Sequence, residues 1–248
     1  MHPVLFHVGP YPIFSYGIFV LIGMIILFLM AGLLAWEDGR PWETFYPIAV
    51  GVLVGGFMGA RLSHILVEPS KTVELLDFYS LFRPGNVGNI LGLMLGGYVG
   101  GYAVQLSLGL RSAGNYFAPA LALASVIWRT GCTLAGCCYG TETDLPWGMM
   151  IAGEKHHPTM VYELLFNVIL LVVIWKRRDR AEHDNALIYL YYALYTVFRF
   201  GLEYIRLYEK VFLGLTGIQV ICVAVWIWLG IWWWQRKRPS LLPKRAIV

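Results

Sequence analysis

The chain alternates long apolar runs with short polar breaks, and most of the runs are about 20 residues long. A helix rises about 1.5 Å per residue and the hydrocarbon core of a bilayer is about 30 Å thick, so runs of this length predict membrane-spanning helices. The pattern predicts seven, near residues 15–35, 46–67, 86–108, 116–138, 158–175, 185–205 and 216–235, the fifth being the shortest. The expected fold is an all-α integral membrane protein forming one polytopic domain over residues 1–248. Between the fourth and fifth spans, residues 139–157 are too polar and turn-rich to cross a membrane, and they predict an external loop able to cap a cavity.

Small residues recur at four-residue spacing in the second and third runs, through Gly55, Gly59, Gly92, Gly96 and Gly100. Such spacing lets two helix backbones approach closely. It also serves close approach to a bound group, so both uses stay open. Trp36, Trp42, Trp147 and the run Trp232-Trp233-Trp234 fall near predicted span ends, where amphipathic rings anchor a helix at the interface.

Composition agrees with this picture. The residues are 58% hydrophobic and 14% charged, against roughly 25% charged in soluble domains. A net charge of +4 does not mark a nucleic-acid surface, because 9 of the 19 basic residues form two clusters, Lys176 to Arg180 and Arg236 to Arg245, abutting apolar runs. Counted between spans, eleven Lys and Arg fall on one side and five on the other, which predicts an external N-terminus and a cytoplasmic C-terminus. The first run follows Met1-His2-Pro3 without a basic segment and leads into Glu37-Asp38, so it is expected to stay attached rather than be cleaved.

Arg61, Arg129 and Arg199 fall inside the second, fourth and sixth runs. An ionisable group at the centre of a span costs about 2.5–3.5 kcal/mol even on insertion scales, so each needs a compensating partner. One source is a neighbouring carboxylate, as Arg199 with Glu203 one turn on. Another is a lipid phosphate, which matches the planar guanidinium fork. Tyr16, Tyr162, Glu163 and Tyr195 lie near the same ends, and phenols there either pack or donate to phosphate. His157 precedes the fifth run, at a rim position from which it could take a proton.

Three of the four cysteines, Cys132, Cys137 and Cys138, follow Arg129 closely. Their spacing matches no common zinc pattern, and His156 and His157 stand across a polar loop, so neither a metal nor another cofactor is expected. Buried packing, an external disulfide and a reactive thiol all remain open readings. Were the segment a continuous helix, Cys137 and Cys138 would diverge by about 100°.

The run Arg129-Thr-Gly-Cys-Thr-Leu-Ala-Gly-Cys-Cys-Tyr-Gly140, with Thr143-Asp-Leu-Pro-Trp-Gly148 and His157-Pro-Thr-Met-Val-Tyr-Glu163, closely resembles the prolipoprotein diacylglyceryl transferases of bacteria. The similarity extends through Pro10 to Gly17, Gly59-Ala-Arg61-Leu and Tyr195 to Arg206, hence over nearly the whole chain. It implies a multi-pass enzyme of the bacterial cytoplasmic membrane, with phosphatidylglycerol or a related anionic phospholipid as donor. The diacylglyceryl group passes to the lipobox cysteine of a prolipoprotein, forming a thioether and releasing glycerol phosphate. By resemblance Arg129 and Arg199 supply cations to the phosphate, joined by Tyr16, Tyr195 and Glu203, while Arg61, Gly136, Gly140, His157, Tyr162, Glu163 and Arg206 bind substrate. Leu91 stands where the family carries histidine, and Cys132, Ala135 and Cys137 stand where it carries two asparagines and a glutamate. These departures admit a transferase with another acceptor, or a phospholipid-binding or partner protein without turnover.

Overall fold

A computed structural model describes residues 2–9, 11–67, 89–151, 153–180 and 184–237. Pro10, the start of the third predicted span at 86–88, and most of the cluster Arg236 to Arg245 lie outside these residues. The described residues form seven α-helices: α1 (Ser15–Glu37), α2 (Trp42–Val67), α3 (Ile90–Leu108), α4 (Gly114–Ala135), α5 (Thr159–Arg177), α6 (Ala186–Leu202) and α7 (Gly217–Lys237). Three short antiparallel hairpins accompany them: β1 (Val4–Val8) with β2 (Tyr11–Phe14), β3 (Met149–Ile151) with β4 (Glu154–His156), and β5 (Lys210–Phe212) with β6 (Leu215–Thr216).

Six of the helices are long and apolar enough to cross a membrane. The exception is α6, whose 17 residues span about 25 Å. The expectation had placed the shortest run at the fifth helix, but Thr159 to Arg177 is continuous and runs into a 3₁₀ turn, Arg178–Arg180.

Local sequence explains the boundaries. Gly39 and Gly109 adopt positive φ, +73° and +62°, and reverse the chain after α1 and α3. Asn89 caps α3, its Oδ1 accepting from Leu91 N at 3.0 Å. Asn185, before α6, accepts from Gly114 N at 3.0 Å, and Asn115 accepts from Leu187 N at 3.0 Å, so the starts of α4 and α6 are bonded reciprocally.

The glycine spacing is used for packing. A Cβ on Gly55 would lie 2.3 Å from the Gly96 carbonyl oxygen, and one on Gly96 would lie 2.2 Å from that of Gly55. The α2 and α3 backbones therefore touch along their length, which no larger residue permits. The tryptophans divide: Trp36, Trp147, Trp233 and Trp234 are exposed as interfacial anchors should be, whereas Trp232 packs on Tyr189 with ring centroids 4.3 Å apart.

The helices alternate in direction, so the start of α1, the end of α2, the start of α3, the end of α4, the start of α5 and the end of α6 meet at one end of the bundle. Within residues 139–157, expected as a loop, Met149–Ile151 and Glu154–His156 pair as the β3–β4 hairpin there. It is tied down by bridges from Gly140 to Arg206 and from Glu142 to His156. Backbone bonds from His2 N to Leu134 O at 2.8 Å and from Ser15 N to Pro3 O at 3.0 Å pin the N-terminal hairpin to the same end.

Candidate active site

Glu163, in the second turn of α5, is fully buried and is the hub of this end. Arg129 of α4 pairs with its Oε2. Arg199 Nη1 of α6 lies 3.2 Å from its Oε1, and Arg206 Nη1 lies 3.4 Å from the same oxygen. Arg199 Nη2 also meets Glu203 Oε2 at 3.0 Å. Arg129, Arg199 and Arg206 are at most 9% exposed and Glu203 is 2% exposed, so these are charges held out of water, where only mutual pairing offsets the loss of hydration. Three guanidinium groups face two carboxylates, which leaves one net positive charge in the cluster.

The support is polar as well. Asn167 Nδ2 donates to the Glu163 carbonyl at 2.7 Å, and Tyr191 OH donates to Asn167 Oδ1 at 3.4 Å. Tyr195, fully buried, stacks on Tyr191 with centroids 5.8 Å apart. Arg206 Nη2 donates to Tyr208 OH at 3.2 Å. Even so, the network is incomplete: Arg129 Nε, Arg199 Nε, Asn89 Nδ2 and the Tyr195 hydroxyl, and on the acceptor side Glu203 Oε1, are buried without a hydrogen-bond partner among the described residues. Orphaned buried donors are rare and call for an explanation.

A cavity of about 130 Å³ opens beside the cluster, its polar wall made by Tyr16, Asn89, Arg129, Arg199, Arg206 and Tyr208. It shares Val20, Met24, Ala60 and Leu93 with a second, almost wholly apolar cavity of about 180 Å³ that runs between α1, α2, α3 and α4. A charged chamber thus continues into an apolar groove.

The structure brings together Arg129, Arg199, Arg206, Glu163, Glu203, Tyr16 and Tyr195 from the sequence-predicted set. Arg61 is not among the residues that line this cavity: its guanidinium is 6.0 Å from the Phe57 ring, and the cavity wall at that level is Ala60. Tyr162, beside Glu163 in sequence, points elsewhere, its hydroxyl accepting from Trp147 Nε1 at 2.8 Å and contacting His157 Nδ1 at 3.3 Å. His157 and Tyr162 therefore form a rim group outside the cavity wall. The neighbouring His156 is the buried one, its Nδ1 donating to the Gly140 carbonyl at 3.0 Å. Gly140 serves close approach, since a Cβ there would sit 2.3 Å from the Ile205 carbonyl oxygen.

The fourth helix is shorter than the expected 116–138. It stops at Ala135, with Gly136 at φ +67° and Cys137 N bonding back to Cys132 O at 3.2 Å. The divergence expected of a continuous helix does not occur: all three sulfur atoms lie within 4.8 Å of one another. Hydrogen bonds from Cys132 and Cys137, and then the positive field of Arg129 and Arg206, lower the Cys138 thiol below its ordinary pKa. Asn89, Trp128, Asn167 and Tyr208 were not singled out from sequence. Only Tyr208 had a local signal, its place two residues beyond Arg206.

Buried arginines line a chamber that opens on an apolar groove, in a bundle with six helices long and apolar enough to cross a membrane, which defines a multi-pass membrane protein with a charged site at one end. A sequence model described as prolipoprotein diacylglyceryl transferase matches residues 3–235, and the chain belongs to that family. Among its relatives, the phosphatidylglycerol–prolipoprotein diacylglyceryl transferase of Clostridium tetani is 28% identical, covering 83% of this chain and 86% of the relative. The enzyme of the same name numbered 1 in Streptomyces coelicolor is 32% identical, covering 98% of this chain and 74% of the relative. That of Finegoldia magna is 29% identical, covering 91% and 92%.

Proposed function

We propose that the chain is a seven-span transferase of the bacterial cytoplasmic membrane, with its N-terminus outside, that moves a diacylglyceryl group from phosphatidylglycerol or a related anionic phospholipid to a thiol. The default acceptor is the lipobox cysteine of a prolipoprotein. The observation that carries this reading is the arginine cluster, with one net positive charge and guanidinium and phenol donors on the cavity wall. A phosphodiester has one negative charge and oxygen acceptors for those donors, and its acyl chains suit the adjoining groove.

The reaction is displacement at carbon. The acceptor thiol, giving up its proton, attacks through sulfur the diacylglyceryl carbon bound to the phosphate oxygen; the C–O bond breaks, and glycerol phosphate departs with the bonding pair and takes up the proton the thiol has lost. Negative charge grows on the phosphate as the bond breaks, so Arg129, Arg199 and Arg206 stabilise the departing group more than the bound lipid. Glu163 holds the three guanidinium groups together against their mutual repulsion. Tyr16 and Tyr208 stand at the wall as further hydroxyl donors.

The test uses purified protein in vesicles containing phosphatidylglycerol and a lipobox peptide. Thioether formation with release of glycerol phosphate, abolished in Arg129→Gln, is the expected result; no lipidated peptide with wild-type protein refutes the default acceptor. A second reading, a phospholipid-binding protein without turnover, is favoured by the carboxylates that already occupy the arginines. Release of glycerol phosphate that depends on Arg129 would eliminate it.

A further inference from the structure

Beyond lipid handling, the geometry points to a soft-cation site formed by the thiolates of Cys132, Cys137 and Cys138, suited to one three-coordinate Cu(I). This does not depend on the transferase reading.

Two backbone features bring the thiols together. Gly136, in the left-handed conformation, ends α4 and turns the chain back so that Cys137 returns over Cys132. Cys138 then takes φ +64°, a conformation uncommon for a residue with a side chain, and its carbonyl accepts a hydrogen bond from the Thr159 hydroxyl on α5. The outcome is three reduced cysteines whose sulfurs all lie within 4.8 Å of one another. With metal–sulfur bonds of about 2.3 Å, a trigonal set needs sulfurs about 4 Å apart. Side-chain rotations of under an ångström close that difference.

The donor set selects the ion. The cluster contains sulfur alone, with no histidine or carboxylate among its described members. Thiolates favour Cu(I) and zinc over harder cations. A closed zinc site takes four protein ligands, whereas this set offers three. Glu163, the nearest buried carboxylate in sequence, is taken up by arginines. Three coordinate thiolates suit a monovalent soft ion.

Charge and access agree with this. Binding displaces the protons that the thiols still carry and leaves the complex of three thiolates and Cu(I) with two negative charges; no oxidant or reductant is involved. Arg129 Nη1 lies 3.9 Å from Cys132 Sγ, and Arg206 lines the same cavity, so positive charge is already in place beside the sulfurs. Cys132 and Cys138 line the cavity and Cys137 is half-buried, which gives an ion a way in.

The experiment titrates fully reduced protein in detergent with Cu(I) held by a chromogenic chelator, and in parallel with Zn(II). One Cu(I) per chain should be withdrawn, and bound Cu(I) should protect Cys132, Cys137 and Cys138 together from maleimide in mass spectra. Each of Cys132→Ser, Cys137→Ser and Cys138→Ser should weaken Cu(I) by more than about 100-fold, since even a group behind a metal ligand is worth 10–100-fold. Cys222→Ser, in α7, should leave the affinity unchanged. Protection in the wild-type protein requires no variant to fold. Maleimide labelling unaffected by Cu(I), a Cu(I) affinity retained within threefold after loss of any one of the three thiols, or binding of Zn(II) without Cu(I) would overturn the assignment.

Discussion

Replacing Glu163 by glutamine tests the logic of the charged cluster most directly, because the shape is kept and only the charge goes. Arg199 and Arg206 sit 3.2 Å and 3.4 Å from the same carboxylate oxygen, and Arg129 pairs with the other. At an effective dielectric of about 20, a contact near 3.3 Å is worth roughly 5 kcal/mol before desolvation. The hydration already lost by the carboxylate offsets part of this, and breaking a buried pair from one side costs about 3–5 kcal/mol net. That loss corresponds to a fall in Tm of about 6–20 °C for a chain of this size. Glu163→Gln and the exposed control Glu154→Gln would be compared by thermal unfolding in neutral detergent. A second arm adds phosphatidylglycerol, whose phosphate supplies the missing negative charge and should raise the Tm of Glu163→Gln more than that of wild type. If Glu163→Gln melts within about 2 °C of the control, or gains no more from anionic lipid than wild type, the account of Glu163 as the hub is wrong.

Other outcomes follow from the same geometry. Arg129→Lys keeps the charge but loses the planar fork, and vesicle turnover should drop about 10²–10³-fold, the scale of losing one transition-state donor. Gly96→Leu forces side-chain atoms into the Gly55 carbonyl, and the resulting separation of α2 from α3 should appear as loss of monodisperse protein in size-exclusion chromatography. His156→Ala removes a buried bond to the Gly140 carbonyl and should cost about 1–3 kcal/mol in thermal unfolding. His157→Ala, on the rim, should leave turnover within a few fold of wild type; a loss above 100-fold would make it part of the reacting centre.

Much of the architecture was legible in the chain, because in a bilayer the length of an apolar run and the burial of its backbone hydrogen bonds are set by the same local segment. The helix positions and the presence of charges needing partners follow from the sequence pattern alone, whereas the glycine spacing left two uses open until the structure set α2 against α3. The family resemblance rests likewise on residues adjacent in sequence, from Arg129 to Gly140 and from His157 to Glu163. What the chain could not convey is which of its isolated charges meet. Arg129, Glu163, Arg199 and Arg206 come from three helices and a turn, and they converge because alternate helices run in opposite directions and present those ends together. Arg61 looked equivalent in hydropathy yet faces Phe57, since a helix position one residue from Ala60 is turned by about 100°. The same holds for His156 and His157: the hairpin buries His156 against the Gly140 carbonyl and leaves His157 half-buried beside Tyr162. The cysteines show the limit most clearly. Their separation on a continuous helix was a sound inference from spacing, and a single left-handed glycine at residue 136 reversed it by ending the helix three residues early and folding three sulfurs into one cluster.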